Sequence, residues 1–161
     1  MTIATFFSDS VRWILGTPMG VLLTLALLGY GCATVPVASD TEDASAKAFT
    51  PSAGRANIYV VRDGGYLPGR VVLRVVLDGA ERGALSDKTY FMFSVEPGRH
   101  VVASYGAENE EQVRLQVDAG QNWFVSLRSR IGWERPRLSL KQLSEEEGRR
   151  AVLEARLAKG L

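Results

Sequence analysis

Between Ala56 and Arg128 short apolar segments are separated by closely spaced turn signals, a pattern that restricts this region to packed β-sheets. Gln112-Val-Arg-Leu-Gln-Val-Asp118 alternates strictly, so Val113, Leu115 and Val117 share one face. Arg70–Asp78 places Val71, Leu73, Val75 and Leu77 together and sends Arg74 to the opposite face. Ala56–Arg62, Thr89–Val95, Arg99–Tyr105 and Asn122–Arg128 complete the main strands, with a short Gly83–Ser86 segment beside them. Asp63-Gly64-Gly65, Asp78-Gly79, Glu96-Pro97-Gly98 and Ala119-Gly120 supply the turns. The spacing predicts a mainly β fold, an antiparallel β-sandwich of about seven strands. Tyr90, Phe91, Met92 and Phe93 put large apolar groups on both faces of one strand, so one set fills the core and the other needs a second layer.

That layer is expected from the C-terminal segment, where the period changes. Ser144-Glu-Glu-Glu147 is a capping box, Glu145 and Glu146 are spaced to pair with Arg149 and Arg150, and the pattern predicts a helix to about Lys159. Val152, Leu153, Ala155 and Leu157 form its docking face.

The N-terminus is of another kind. Residues 1–31 hold 18 apolar side chains and two charges, Asp9 and Arg12, and no charge occurs from Trp13 to Ser39. Met19–Leu28 is an apolar run of ten residues, short for a spanning helix of about 20 but within the secretory range of about 7 to 15. It is followed by Gly29-Tyr30-Gly31-Cys32, which resembles a bacterial lipoprotein box. There the thiol takes a diacylglyceryl group and the chain is cut between Gly31 and Cys32; Gly29 and Tyr30 stand where such boxes usually carry Leu and a small residue. The organisation read from this is a signal peptide over 1–31, a lipidated Cys32 with a flexible tether over 32–54, and a sandwich domain over 55–161. An uncleaved inner-membrane signal anchor is the alternative. Ala33 after the Cys resembles a signal for outer-membrane sorting, with the domain facing the periplasm. The acidic residues Asp40, Glu42 and Asp43 are read as solvation of the tether.

Gly54–Arg62, the Asp78-Gly79 turn, Thr89–His100, Asp118-Ala-Gly-Gln-Asn-Trp-Phe124, and Pro136-Arg-Leu leading to Ser-Glu-Glu-Glu-Gly148 resemble, in that order, the bacterial lipoprotein family of domain of unknown function 2846. The Val95–His100 turn is also similar to surface sandwich modules of the PEGA type. The resemblance implies a secreted or lipid-anchored β-sandwich with no assigned reaction.

Composition narrows the chemistry. With one Cys and one His the chain has neither an internal disulfide nor a multi-thiolate zinc site, and a net charge of +1 gives no electrostatic case for nucleic acid. His100 has no positioned nucleophile, and Glu108, Glu110, Glu111 and Asp118 lack the spacing of a calcium loop. No catalytic residue, metal or cofactor is expected, and the chain is not read as an enzyme. Arg128, Arg130, Arg135 and Arg137 around Trp133 are the candidate ligand-binding residues, suited to an anionic glycan or lipid. The plainer reading makes them a charge-protected edge, with Trp133 capping the core. The expected function is a membrane-anchored structural or interaction module of the cell envelope. Its partner would be an envelope protein, lipopolysaccharide or peptidoglycan, with envelope ligand binding as the alternative and cell-wall hydrolysis a weaker one.

Overall fold

A computed structural model describes residues 35–65, 71–133 and 137–161. The segment 1–31 read as a signal peptide, Cys32 and Arg135 lie outside the described residues. Helix α1 (Asp40–Ala46) precedes strands β1 (Ala56–Arg62), β2 (Leu73–Leu77), β3 (Ala80–Leu85), β4 (Thr89–Val95), β5 (Gly98–Tyr105), β6 (Glu110–Val117), β7 (Asn122–Arg130) and β8 (Arg137–Leu143). Helix α2 (Glu145–Leu153) and a two-residue β9 (Arg156–Leu157) follow. The strands form a five-stranded sheet, β8-β7-β1-β4-β9, and a four-stranded sheet, β3-β2-β5-β6.

The fold is mainly β, as the turn spacing requires, but it is not wholly antiparallel. β1 pairs antiparallel with β4 and parallel with β7, setting Val60 between Phe91 and Val125, and β4 pairs parallel with β9. The chain reaches β7 from β1 only after crossing to the other sheet and back, so no hairpin forces those neighbours to run in opposite directions. Two of the strands beyond the expected set are β8, whose Leu138 is buried between the sheets, and β9.

Apolar packing is divided between two layers. Ile58, Val60, Val75, Leu85, Val102, Val117, Val125 and Leu127 fill the space between the sheets. On the outer face of the five-stranded sheet Tyr59, Val61, Tyr90 and Phe124 meet Ala46, Phe49, Val152 and Ala155. Every residue of β1 is buried, because both of its faces are covered. Tyr59 stacks on Phe124 with centroids 5.1 Å apart, and Phe49 packs against both rings.

The segment read as a tether is folded from Val35 onward. Ser39 and Glu42 form a full capping box at the start of α1, so Glu42 has a structural role beyond solvation. Asp43 is buried: it accepts from the Tyr90 hydroxyl at 3.0 Å and the Leu157 N–H at 2.7 Å, and Lys47 donates to it at 2.8 Å. Phe49 follows with φ of +54°, and its carbonyl accepts from Asn122 at 2.8 Å. Neither strand nor helix period is visible in so short an element, which is defined by its caps and its buried acid.

The C-terminal helix has the expected capping box but stops at Leu153 rather than near Lys159. Beyond it the Ala158 N–H donates to the Tyr90 carbonyl at 2.8 Å. Together with the bond from Leu157 to Asp43, this draws the chain onto the edge of β4 as β9. Leu153, expected to dock, is 58% exposed. Gly148 lies against Phe124, where an added Cβ would come within 2.1 Å of the ring. The glycine thus lets α2 approach the sheet.

Candidate functional site

The candidate arginines Arg128, Arg130 and Arg137 are divided between two places. β7 sends Val125, Leu127 and Ser129 inward, leaving Arg128 and Arg130 on the outer face with Phe124. Arg128 is held by Asp63, just past β1, through its Nε at 2.7 Å and through Nη2; Ser126 donates to the same carboxylate at 3.0 Å. Partial burial pushes the Asp63 carboxyl up, but the bonds from Arg128 and Ser126 outweigh it and hold it below the usual carboxylate range. The paired Arg128 lines a groove of about 270 Å³ between α2 and the sheet, shared with Lys88, Arg150, Glu147 and Glu154. Lys88 and Glu154 pair across it at 3.3 Å. With cations and carboxylates in equal number, this groove has no net preference for an anion.

Arg130 and Arg137 face each other across the β7–β8 pair. They line a second depression with Ile131, Asn109 and Glu111, and Arg137 reaches Glu108 at 3.6 Å. Ile131 is 69% exposed and Trp133 is 97% exposed. Trp133 therefore does not cap the core: it stands in solvent at the hairpin tip, with Arg130 and Arg137 at its base. Arg130, Ile131 and Arg137 thus line one depression, and Arg128 lines another with Asp63. Sequence spacing could not make that division, because Asp63, the residue that captures Arg128, is 65 positions away.

His100 joins two turns. Its Nδ1 lies 2.7 Å from Asp78 Oδ2 and its Nε2 lies 2.8 Å from the Glu96 carbonyl. Both partners are acceptors, so both ring nitrogens carry protons when the two bonds form together. Partial burial opposes the imidazolium, but these bonds outweigh it and raise the His100 pKa. Asp78 also accepts from the Val101 N–H at 2.8 Å, and its own φ of +52° followed by Gly79 at +79° makes the β2–β3 turn. This unit locks loops together and leaves no ring nitrogen free to take up a substrate proton. Among the described residues, no three His, Cys, Asp or Glu side chains are grouped to hold a metal ion.

Arg62 carries no functional signal in its sequence context. It occupies an inward position of β1, fully buried, and its Nη1 donates to the Val71 carbonyl and, at 3.1 Å, to that of Leu85. Burial lowers its pKa, and nearby Asp87 opposes the shift. Its guanidinium thereby ties the Val71 and Leu85 carbonyls to the end of β1.

A family model described as "Protein of unknown function (DUF2846)" matches residues 52–137. An uncharacterized protein of Haemophilus influenzae is 27% identical over 138 residues, covering 85% of this chain and 82% of the relative. Fewer residues than that follow Thr34, so the similarity to the relative extends back into the segment that carries Cys32.

Proposed function

The chain belongs to the family of unknown function DUF2846, and we propose that it is a lipid-anchored module of the bacterial cell envelope that works by contact rather than by covalent chemistry. The observation that carries this reading is the single Cys of the chain, Cys32, placed directly after Gly31 and just beyond the apolar run Met19–Leu28. A thiol there is positioned for acylation and for cleavage on its N-terminal side. Three acyl chains at about 0.8 kcal/mol per buried methylene make such an anchor effectively permanent. Among the described residues no helix is long and apolar enough to cross a membrane. The proposed location is the outer membrane, with the domain on its periplasmic side.

Mass spectrometry of the protein from a membrane fraction, beside a Cys32→Ser variant, tests the anchor. The expected result is a mature chain beginning at an acylated Cys32, with loss of both acylation and membrane retention in the variant. A Cys32→Ser protein that stays in the membrane with its N-terminus intact would contradict the proposal and support the uncleaved anchor.

A second reading concerns the ligand and rests on Trp133 and Ile131, whose exposure beside Arg130 and Arg137 suits an anionic envelope polymer. Titration with lipopolysaccharide and with peptidoglycan fragments should change Trp fluorescence in the native protein and not in Trp133→Ala. Unchanged fluorescence and no heat of binding in the native protein would reject it.

A further inference from the structure

We propose that the surface around the entry of the chain into the domain, formed by Val37, Lys159, Leu161 and Arg82, lies in the phospholipid headgroup layer of the membrane. The inference rests on the reading of Cys32 as the lipidated residue. The chain is fixed to the domain almost as soon as it leaves that residue. Val37 bridges Ala158, the Ala38 N–H donates to the Leu157 carbonyl at 2.8 Å, and the Lys159 N–H donates to the Pro36 carbonyl at 2.9 Å. From Cys32 to Val35 a fully extended chain spans at most about 11 Å. The polar headgroup layer of one leaflet is about 6 Å deep. A flexible tether over residues 32–54 would have a typical end-to-end distance of about 26 Å and would leave the domain free of the bilayer. Folding of residues 35–54 into the domain removes that freedom.

The same bonds fix which side faces the lipid. Residues 36–38 run antiparallel to β9, and β9 runs parallel to β4, so the chain arrives from the end of the sheet where β4 closes at Val95. The Leu161 N–H donates to the Arg82 carbonyl at 3.1 Å, which brings the last residues beside β3. Val37 is 43% exposed and Leu161 93% exposed, placing two apolar side chains near the entry. Lys159 and Arg82 supply cations for lipid phosphates, and Glu42, which lies in the field of Lys159, supplies a carboxylate for headgroup ammonium. This mixture fits phosphatidylethanolamine better than a purely anionic surface. The β7–β8 tip, with Ile131 and Trp133, lies at the opposite end of the sheet, because β7 runs antiparallel to β4 on the far side of β1.

The test uses the full-length lipidated protein in vesicles of phosphatidylethanolamine and phosphatidylglycerol. Acylation occupies the only native thiol, so a dye on Val37→Cys, Leu161→Cys or Ile131→Cys reports a single position. Quenching by a headgroup-attached nitroxide lipid should be several-fold stronger at Val37→Cys and Leu161→Cys than at Ile131→Cys. Leu161→Cys carries the test alone if Val37→Cys does not fold, since Leu161 is almost fully exposed. Equal weak quenching at all positions, with acylation of Cys32 confirmed by mass, overturns this inference and leaves the anchor intact. An unacylated Cys32 overturns both.

Discussion

The two sheets present opposite outer faces. On its outer face the five-stranded sheet packs Tyr59, Val61, Tyr90 and Phe124 under α1, α2 and the residues that follow them, and leaves Arg128 and Arg130 of β7 exposed. The four-stranded sheet turns Arg74, Arg99, Tyr105, Arg114 and Gln116 to solvent, and Tyr105 is 53% exposed. The contrast shows what each sheet is for. The covered face ties both ends of the domain together, because α1 comes from before the strands and α2 and β9 from after them. The bare face keeps its charged and polar side chains in water.

Asp43 should mark this difference most strongly. Asp43→Ala would leave the Tyr90 hydroxyl, the Leu157 N–H and the Lys47 ammonium without their shared acceptor, and a loss of about 3 kcal/mol is expected in urea unfolding. Gly148→Ala comes next. Helix propensity favours it by about 1 kcal/mol, but the methyl would strike Phe124; net destabilisation of about 2 kcal/mol is expected from overpacking. A more stable Gly148→Ala protein would show that α2 is not closely packed on the sheet. Ser144→Ala removes the cap of α2 and should cost about 1 kcal/mol. On the bare face Gln116→Ala should change stability by no more than about 0.5 kcal/mol. A larger loss there would mean that this face is covered in solution.

Acid should act on the same layer. Burial pushes the Asp43 carboxyl up, but its bonds from Lys47, Leu157 and Tyr90 outweigh this and keep its folded pKa below that of the unfolded chain. Its stabilisation is complete above the unfolded value of about 3.9 and is lost as pH falls through the lower folded value. Asp78 behaves in the same way, its bonds from His100 and Val101 prevailing over burial. His100 has the opposite sign: its raised pKa gives stability that is full below about 6.5 and declines as pH rises through the folded value. Unfolding midpoints measured across pH should therefore fall at the acid end, with a smaller decline as pH rises above about 6.5 that His100→Gln abolishes.

Legibility in the sequence followed the same division. Strict alternation in β6 declared a strand with one wet face, and its Val113, Leu115 and Val117 do face the core. The capping box at Ser144 declared a helix start, and the Asp78-Gly79 turn appears as read. What stayed hidden depended on partners distant in the chain. Asp43 looks like a solvating acid until Tyr90 and Leu157 are brought to it. Leu157 looks helical until the edge of β4 captures it, and Arg128 looks available until Asp63 is placed beneath it. Of the candidate site, Arg130 and Arg137 face each other across the β7–β8 pair beside the exposed Ile131, while Arg128 is held at the surface by Asp63.

Hydrogen exchange on the full chain tests whether the stretch after Val35 is part of the domain and covers the five-stranded sheet. The amides of Ala38, Asp43 and Lys47 donate to Leu157, Ser39 and Asp43 at 2.8, 2.9 and 3.0 Å. They should exchange orders of magnitude more slowly than free peptide, and should lose protection together with Leu157 and Ala158 in Asp43→Ala. Exchange at free-peptide rates across residues 38–47, beside a protected β1, would contradict the account and restore a flexible tether.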